Sequence, residues 1–339
     1  LLLHQGLIVS VSQEVTRRPD PPQWTESLRR VRAPVSWRYI GGRLATGLVA
    51  VWGAVTLVFF ALYATGNPAI LLVPPDAPPD EIARLTHLMG FDRPLPVQYW
   101  HFLTSVLTGT FPDSIRYGAD PLPIALGKIP ASLALGLSGL VIGVLLGGVI
   151  GYVSATARSG WLSRVPLGIA VGIESVPTFF TGIVLIIVFA VNLGWFPVSS
   201  TGDTASMVLP AVTLAFAFIP AIARVFRTAL LDVLQAEHIR TARAKGLPRH
   251  VLVWRHVVAN SLGTTLNVVG IQAGVLLGGA VVTESVFGWP GIGQLSINAV
   301  QNRDYPLVIV CVLAIAVGFV LINLAVDILA AIVEPRLRS

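Results

Sequence analysis

The chain has 339 residues, 54% of them hydrophobic and only 12% charged, whereas a soluble domain carries about a quarter charged residues. That composition excludes an ordinary soluble protein and reads as an integral membrane protein. The formal net charge is +6, but it is distributed on one side of the apolar runs, and the single cysteine, Cys311, excludes an intrachain disulfide or a thiolate metal site.

Residues 1–38 are polar, with Arg and Pro and no sustained apolar period, and read as a disordered or loosely attached arm. The opening Leu1–Val11 is apolar but short, with no basic region before it and no small-residue cleavage site, so no secretory signal is expected. The first span is Leu44–Thr65, preceded by Arg38 and Arg43 and followed by Gly66, Asn67 and Pro68. A long polar excursion then runs to Pro130. Its amphipathic pieces within Pro78–Gly109 are expected to cover the far side of the bundle. The remaining spans are Ala131–Ala155, Val165–Leu193, Met207–Leu231, Ala259–Thr283 and Pro306–Val333, six in all, each long enough to cross about 30 Å of hydrocarbon as a helix. The expected fold is therefore all-α and polytopic, with a long extracytoplasmic segment between helices 1 and 2. With both termini in the cytoplasm, 18 of the 23 Lys and Arg fall inside, as the positive-inside bias requires.

Glycines recur at every fourth position, at Gly139, Gly143, Gly147 and Gly151 in the second span and at Gly270, Gly274 and Gly278 in the fifth. Such stripes let helices pack backbone to backbone and read as packing seams. Pro177, Pro210 and Pro220 are expected to break the third and fourth spans, either as plain kinks or because those helices line a path. Ionisable groups at membrane depth are functional candidates by default. Glu174, one turn before Pro177, is either a cavity-lining group or the partner of a base. Asp327 lies close enough to the inner end of its span to reach water or a loop Arg.

The segment Glu237–Ala259 lies between two apolar runs. Helix formers from Glu237 to Lys245 predict a short helix that Gly246 stops, and Pro248 prevents its continuation. A second short helix is expected over Arg249–Val258. Thr241, Ala242 and Ala244 leave little side chain on one face, framed by Arg240, Arg243 and Lys245, so the helix is either a docking surface or a solvated juxtamembrane helix.

No ATP-binding motif is present. The pair Gly127-Lys128 is followed by Ile129, and Leu122 stands where a phosphate-binding loop needs its first Gly. No nucleophile or metal constellation with recognisable spacing can be assembled, so catalysis within this chain is not expected.

The run Ile239-Arg240-Thr241-Ala242-Arg243-Ala244-Lys245-Gly246-Leu247 resembles the coupling-helix motif of ABC importer permeases in the dipeptide/oligopeptide/nickel branch. Arg240 stands where the general motif has Glu, and His256-Val257-Val258-Ala259 replaces Ile-x-Leu-Pro. Gly90–Tyr99, Pro177–Phe180, Trp195–Pro197, Gly278–Gly293, Arg303–Pro306, Asn323–Asp327 and Glu334–Arg338 are similar to that family as well. The resemblance covers nearly everything after residue 38 and implies the type I importer permease fold. It divides the chain into a cytoplasmic arm (1–38), the first helix with its extracytoplasmic segment (39–130) and a core transmembrane domain (131–339) holding a coupling loop at 232–256.

It further implies that residues Arg240 to Leu247 dock on an ATPase, that ATP and Mg bind the partner ATPase subunits while this chain carries no cofactor, and that two ATPase domains, a second homologous permease subunit and an extracytoplasmic binding protein complete the machine. Membrane lipid is the remaining partner, and nucleic acid is not one. Glu284–Gly293 would lie in the outer mouth, although from the residues alone it is a Gly/Pro-rich re-entrant turn. Glu174, Pro177, Pro220 and Glu284 are the candidates for the translocation path. The implied cargo is a di- or oligopeptide, with a nickel chelate as the alternative. A rival of another class is a proton-coupled secondary transporter using Glu174 and Asp327 as a relay, which would favour inverted repeats that the sequence lacks.

Overall fold

A computed structural model describes residues 37–64, 78–88, 92–157, 159–200 and 203–333. The polar arm up to residue 36, the Gly66-Asn67-Pro68 turn, Gly90-Phe91 and the ending from Glu334 lie outside the described residues. Those described are helical or in turns, with no strand among them.

α1 (Trp37–Ala64) is a peripheral span. It packs along α14 (Tyr305–Val333), where Gly47 receives Val320. Arg43 near its N-terminal end pairs with Asp327 at 3.1 Å, so Asp327 meets a base rather than facing lipid. α2 (Pro79–Leu88) and α3 (Leu95–Thr108) supply the expected amphipathic pieces. Between them the His87 ring bonds Asp92 at 2.7 Å, which holds the Asp92 carboxyl below its usual range. α3 leans on α1: the Tyr99 and Thr56 hydroxyls are 2.7 Å apart, and Phe59 packs edge-on against Tyr99 with Phe102 beside it.

α4 (Pro121–Leu126), capped by the Asp120 carboxylate, leads into α5 (Ile129–Thr156). α5 lies against α8 (Thr204–Gln235), the central helix of the molecule. Along this contact, glycines on α5 meet backbone on α8 at matching four-residue steps. A Cβ added at Gly139 would lie 2.7 Å from the Cβ of Leu214, at Gly143 2.8 Å from the Cβ of Phe218, at Gly147 3.0 Å from the carbonyl of Ile219, and at Gly151 2.8 Å from the carbonyl of Ala223. This seam and the apolar cluster of Leu135, Leu214, Phe218, Ile222, Leu276 and Trp289 form the middle of the core.

The third span breaks at Pro177, as expected. It is two helices, α6 (Gly160–Glu174) and α7 (Thr178–Leu185), the latter continuing as a π-helical stretch over Ile186–Asn192, and the two arms meet at 104° across Ser175–Pro177. Pro177 therefore breaks its span, whereas Pro210 and Pro220 lie buried inside an uninterrupted α8. Dense packing on both sides of α8 holds the helix continuous at positions where proline chemistry alone favours a break.

The inner loop carries α9 (Glu237–Ala244) and α10 (Arg249–Val251). A π-helical stretch, Leu252–Val258, carries α10 without a break into α11 (Ala259–Gly274). α12 (Leu276–Phe287) follows at 56°. This bend corrects the second glycine stripe. Gly270 and Gly274 receive Val326 and Asn323 of α14, but Gly278, past the bend at Val275, faces nothing within 4 Å. α13 (Ile292–Gln301) and α14 complete the chain. Among the described residues four helical stretches are each long and apolar enough to cross a membrane, and the total is six when each bent pair counts as one span.

Candidate functional site: the inner loop and the polar face behind it

α8 ends because Ala236 turns extended (φ −65°, ψ 146°), and α9 starts immediately after it. One side of α9 is anchored. Ile239 is fully buried with Phe226, Leu230, Leu252 and Val257, and Ala242 packs against the same group. Gly246 stops the helix in the left-handed region (φ 78°), where its N–H reaches the Arg243 carbonyl at 3.0 Å and the Leu247 N–H reaches the Ala242 carbonyl at 3.4 Å. Glycine suits that conformation because it has no Cβ to clash.

The opposite side is open. Arg240, Thr241, Arg243, Ala244, Lys245 and Gly246 are exposed, while Ala242 and Leu247 are half-buried. The small residues are thus divided, since Ala242 faces the protein and only Thr241 and Ala244 remain on the open side. A guanidinium N–H of Arg249 donates to the Thr156 carbonyl at 2.9 Å and Trp254 stacks on Tyr152, tying the loop to the end of α5. α9 is thus packed on α8 through Ile239, and the start of α10 is tied to α5 through Arg249.

Behind the loop lies a polar face. Glu174, at the end of α6, accepts a bond from Arg224 of α8 at 3.0 Å, and both side chains are a little under half exposed. Arg224, Thr228 and Asp232 follow one another at helical spacing along α8. With Asn260, Ser261 and Thr264 of α11 they line a groove of about 310 Å³. Of the expected path residues, Glu174 and Pro177 come together at the α6–α7 break, and Pro220 is buried one turn before Arg224.

Glu284 is elsewhere and fully buried. α12 ends at Gly288 (φ 62°), and the chain folds back so that a Glu284 carboxylate oxygen accepts the Gln294 N–H at 3.0 Å, capping α13. The Ile292 N–H bonds Ser132 Oγ at 2.8 Å, and the Trp289 indole donates to the Ala131 carbonyl at 2.9 Å. The carboxylate occupies the space a side chain at Gly291 would need, and a Cβ at Gly293 would lie 2.6 Å from the Cα of Val281. That accounts for the glycines of the outer turn.

A second buried acid, Asp304, caps α14 through the Leu307 N–H at 3.3 Å. It also accepts from the Arg116 N–H at 3.2 Å and from the Ser114 hydroxyl, pinning the outer loop 113–119. Sequence reasoning missed Ser114 and Ser132, whose partners lie 190 and 160 residues away. It also missed the groove, although polar residues at i, i+4 and i+8 on an apolar helix are a legible signal. Among the described residues no three His, Cys, Asp or Glu converge as a metal site.

These features define a polytopic helical membrane protein of the type I ABC importer permease fold, with a loop, residues 237–258, packed against its central helices. Residues 123–339 match the family described as binding-protein-dependent transport system inner membrane component, and residues 37–127 match the corresponding N-terminal membrane component. The chain belongs to this family of ABC importer permeases. It is 39% identical over 283 residues to the glutathione transport system permease protein GsiC of Pectobacterium atrosepticum, covering 83% of this chain and 92% of that protein. It is 35% identical over 304 residues to GsiC of Escherichia coli (strain K12), covering 88% and 98%. Among solved structures, the inward-facing MetNI methionine ABC transporter aligns with a TM-score of 0.53 at 21% identity, covering 64% of this chain and 99% of that one. The chain is accordingly a transport subunit of the inner membrane, with ATP hydrolysis belonging to a separate partner. That sets aside the proton-coupled reading, and the two acids it invoked are each paired with an arginine.

Proposed function

We propose that this chain is one of two homologous permease subunits of an importer that carries di- or oligopeptides into the cytoplasm. Two ATPase domains would bind ATP and Mg, an extracytoplasmic binding protein would deliver the peptide, and both termini would face the cytoplasm. Residues Arg240 to Leu247 are the contact with one ATPase. Closure of the ATPases pushes α9, and the push rocks α8 and α5 to open the path outward. The observation carrying this reading is the two-sided construction of α9, with Ile239 locked in the core and a basic, small-residue face left open. The peptide cargo is supported by relatives named for transport of glutathione, itself a tripeptide, which favours peptides over nickel chelates.

The test is uptake of labelled di- and tripeptides by the assembled transporter in proteoliposomes. Uptake should need internal-side ATP and binding protein and should continue when the proton gradient is collapsed. Uptake that persists without ATP, driven by an ion gradient, would overturn the reading.

A further inference from the structure

A polar side chain at membrane depth is expensive against lipid, so it faces protein or a water-filled path. α8 is mostly buried, and the face it leaves open towards α11 carries Arg224, Thr228 and Asp232 beside Val225, Ala229 and Val233, with Asn260, Ser261 and Thr264 contributed by α11. At a helical rise of 1.5 Å per residue, Arg224 stands roughly 16 Å along α8 from the inner end at Gln235, and Asp232 only about 5 Å from it. The groove thus has a cation at its deep end, a carboxylate at its mouth, and between them hydroxyls and an amide set among the apolar side chains of Val225, Ala229 and Val233. Its volume of about 310 Å³ lies at the small end of the range for small-molecule sites. A short peptide with free termini complements each of these features.

Resting on the peptide reading above, we propose that Arg224 binds the C-terminal carboxylate of the peptide in transit, and that Glu174 holds the Arg224 guanidinium in place when the groove is empty. The guanidinium already makes one carboxylate bond, at 3.0 Å, and its planar fork suits an incoming carboxylate with two parallel bonds. The exchange of one carboxylate for another keeps the guanidinium paired throughout, while the displaced Glu174 carboxylate, 43% exposed, turns to water. It also makes net binding weak, which a path that must release its cargo requires. Asp232 at the mouth and the Thr228, Asn260 and Thr264 side chains then accompany the amino end and the peptide amides.

The experiment uses the complete transporter in proteoliposomes with its binding protein, and compares trialanine with trialanine C-terminal amide. Because the binding protein is the same throughout, a change in the acid-to-amide uptake ratio reports on the permease. Arg224→Gln should lower that ratio about tenfold, the usual worth of a charge-assisted bond. Glu174→Gln should lower the half-saturating concentration for the acid and leave that for the amide unchanged. The neutral pair Glu174→Gln/Arg224→Gln, which leaves no unmatched charge, guards against a variant that fails to assemble and should show the same lowered ratio. A wild-type ratio in the assembled Arg224→Gln and double variants would overturn the proposal. Uptake of neither peptide by the wild-type transporter would overturn the peptide reading and this inference with it.

Discussion

Two residues carry much of the local argument, and both are backbone effects. At Gly246 the left-handed φ of 78° disfavours any side chain, and a β-branched one most. Gly246→Val should leave the protein inserted in the membrane at normal levels but abolish ATP-driven uptake, because α9 can no longer end where the loop turns. Normal uptake in that variant would count against the coupling role. At Gly293 a Cβ would overlap the Val281 backbone at 2.6 Å. Gly293→Ala should destabilise the outer turn by about 1–3 kcal/mol, as overpacking does, measured as a lower melting temperature of the purified complex. Gly246 was legible from sequence because Pro248 follows it within a helix-forming run. Glu284 was not, since a carboxylate on a path and one that caps a helix are identical as letters. The cap exists only because Gly291–Gln294 folds back onto it.

Secondary elements separate into those fixed by short-range pattern and those fixed by packing. The α5–α8 seam was legible because small residues every fourth position favour a close helix contact. It makes a paired test: Gly143→Ala drives a Cβ to 2.8 Å from that of Phe218, while Gly148 on the same helix has nothing within 4 Å. Gly143→Ala should cost about 1–3 kcal/mol, whereas Gly148→Ala should be neutral or stabilising by up to about 1 kcal/mol, both read by thermal unfolding in detergent. The bend at Val275 and the continuity of α8 through Pro210 and Pro220 were not legible, because each depends on neighbours far away in sequence.

α3 adds a case of its own. Thr56 lies about 20 Å along α1 from Arg43 by helical rise, inside a hydrocarbon layer of about 30 Å, and the Tyr99 hydroxyl of α3 touches it. The other side of α3 exposes Trp100 (66%) and Leu107 (84%). The excursion expected to cover the outer side is therefore predicted to dip into the outer leaflet. In a Cys311→Ala background, Trp100→Cys should resist a membrane-impermeant maleimide and react with a lipid-soluble one. Full labelling by the impermeant reagent would place α3 in water instead.

On the scale of the whole molecule, two ion pairs join helices to one another. Arg43 with Asp327 joins α1 to α14, and Arg224 with Glu174 joins α8 to α6. The two pairs differ in what surrounds them. The Glu174–Arg224 pair borders a polar groove, whereas the Arg43–Asp327 pair sits at the inner edge of a peripheral helix contact with the arginine half exposed. A solvent-screened pair of that kind contributes at most about 1 kcal/mol, so its loss should not reach the transport cycle. Asp327→Asn is therefore expected to assemble, to take up peptide at close to the wild-type rate, and to keep the wild-type dependence of uptake on pH. A proton relay through Asp327 makes the opposite demand, because removing its titrating group would flatten or shift the pH profile. Measuring uptake against pH in the two proteins thus separates a subunit driven by ATP on neighbouring chains from one that draws on protons itself.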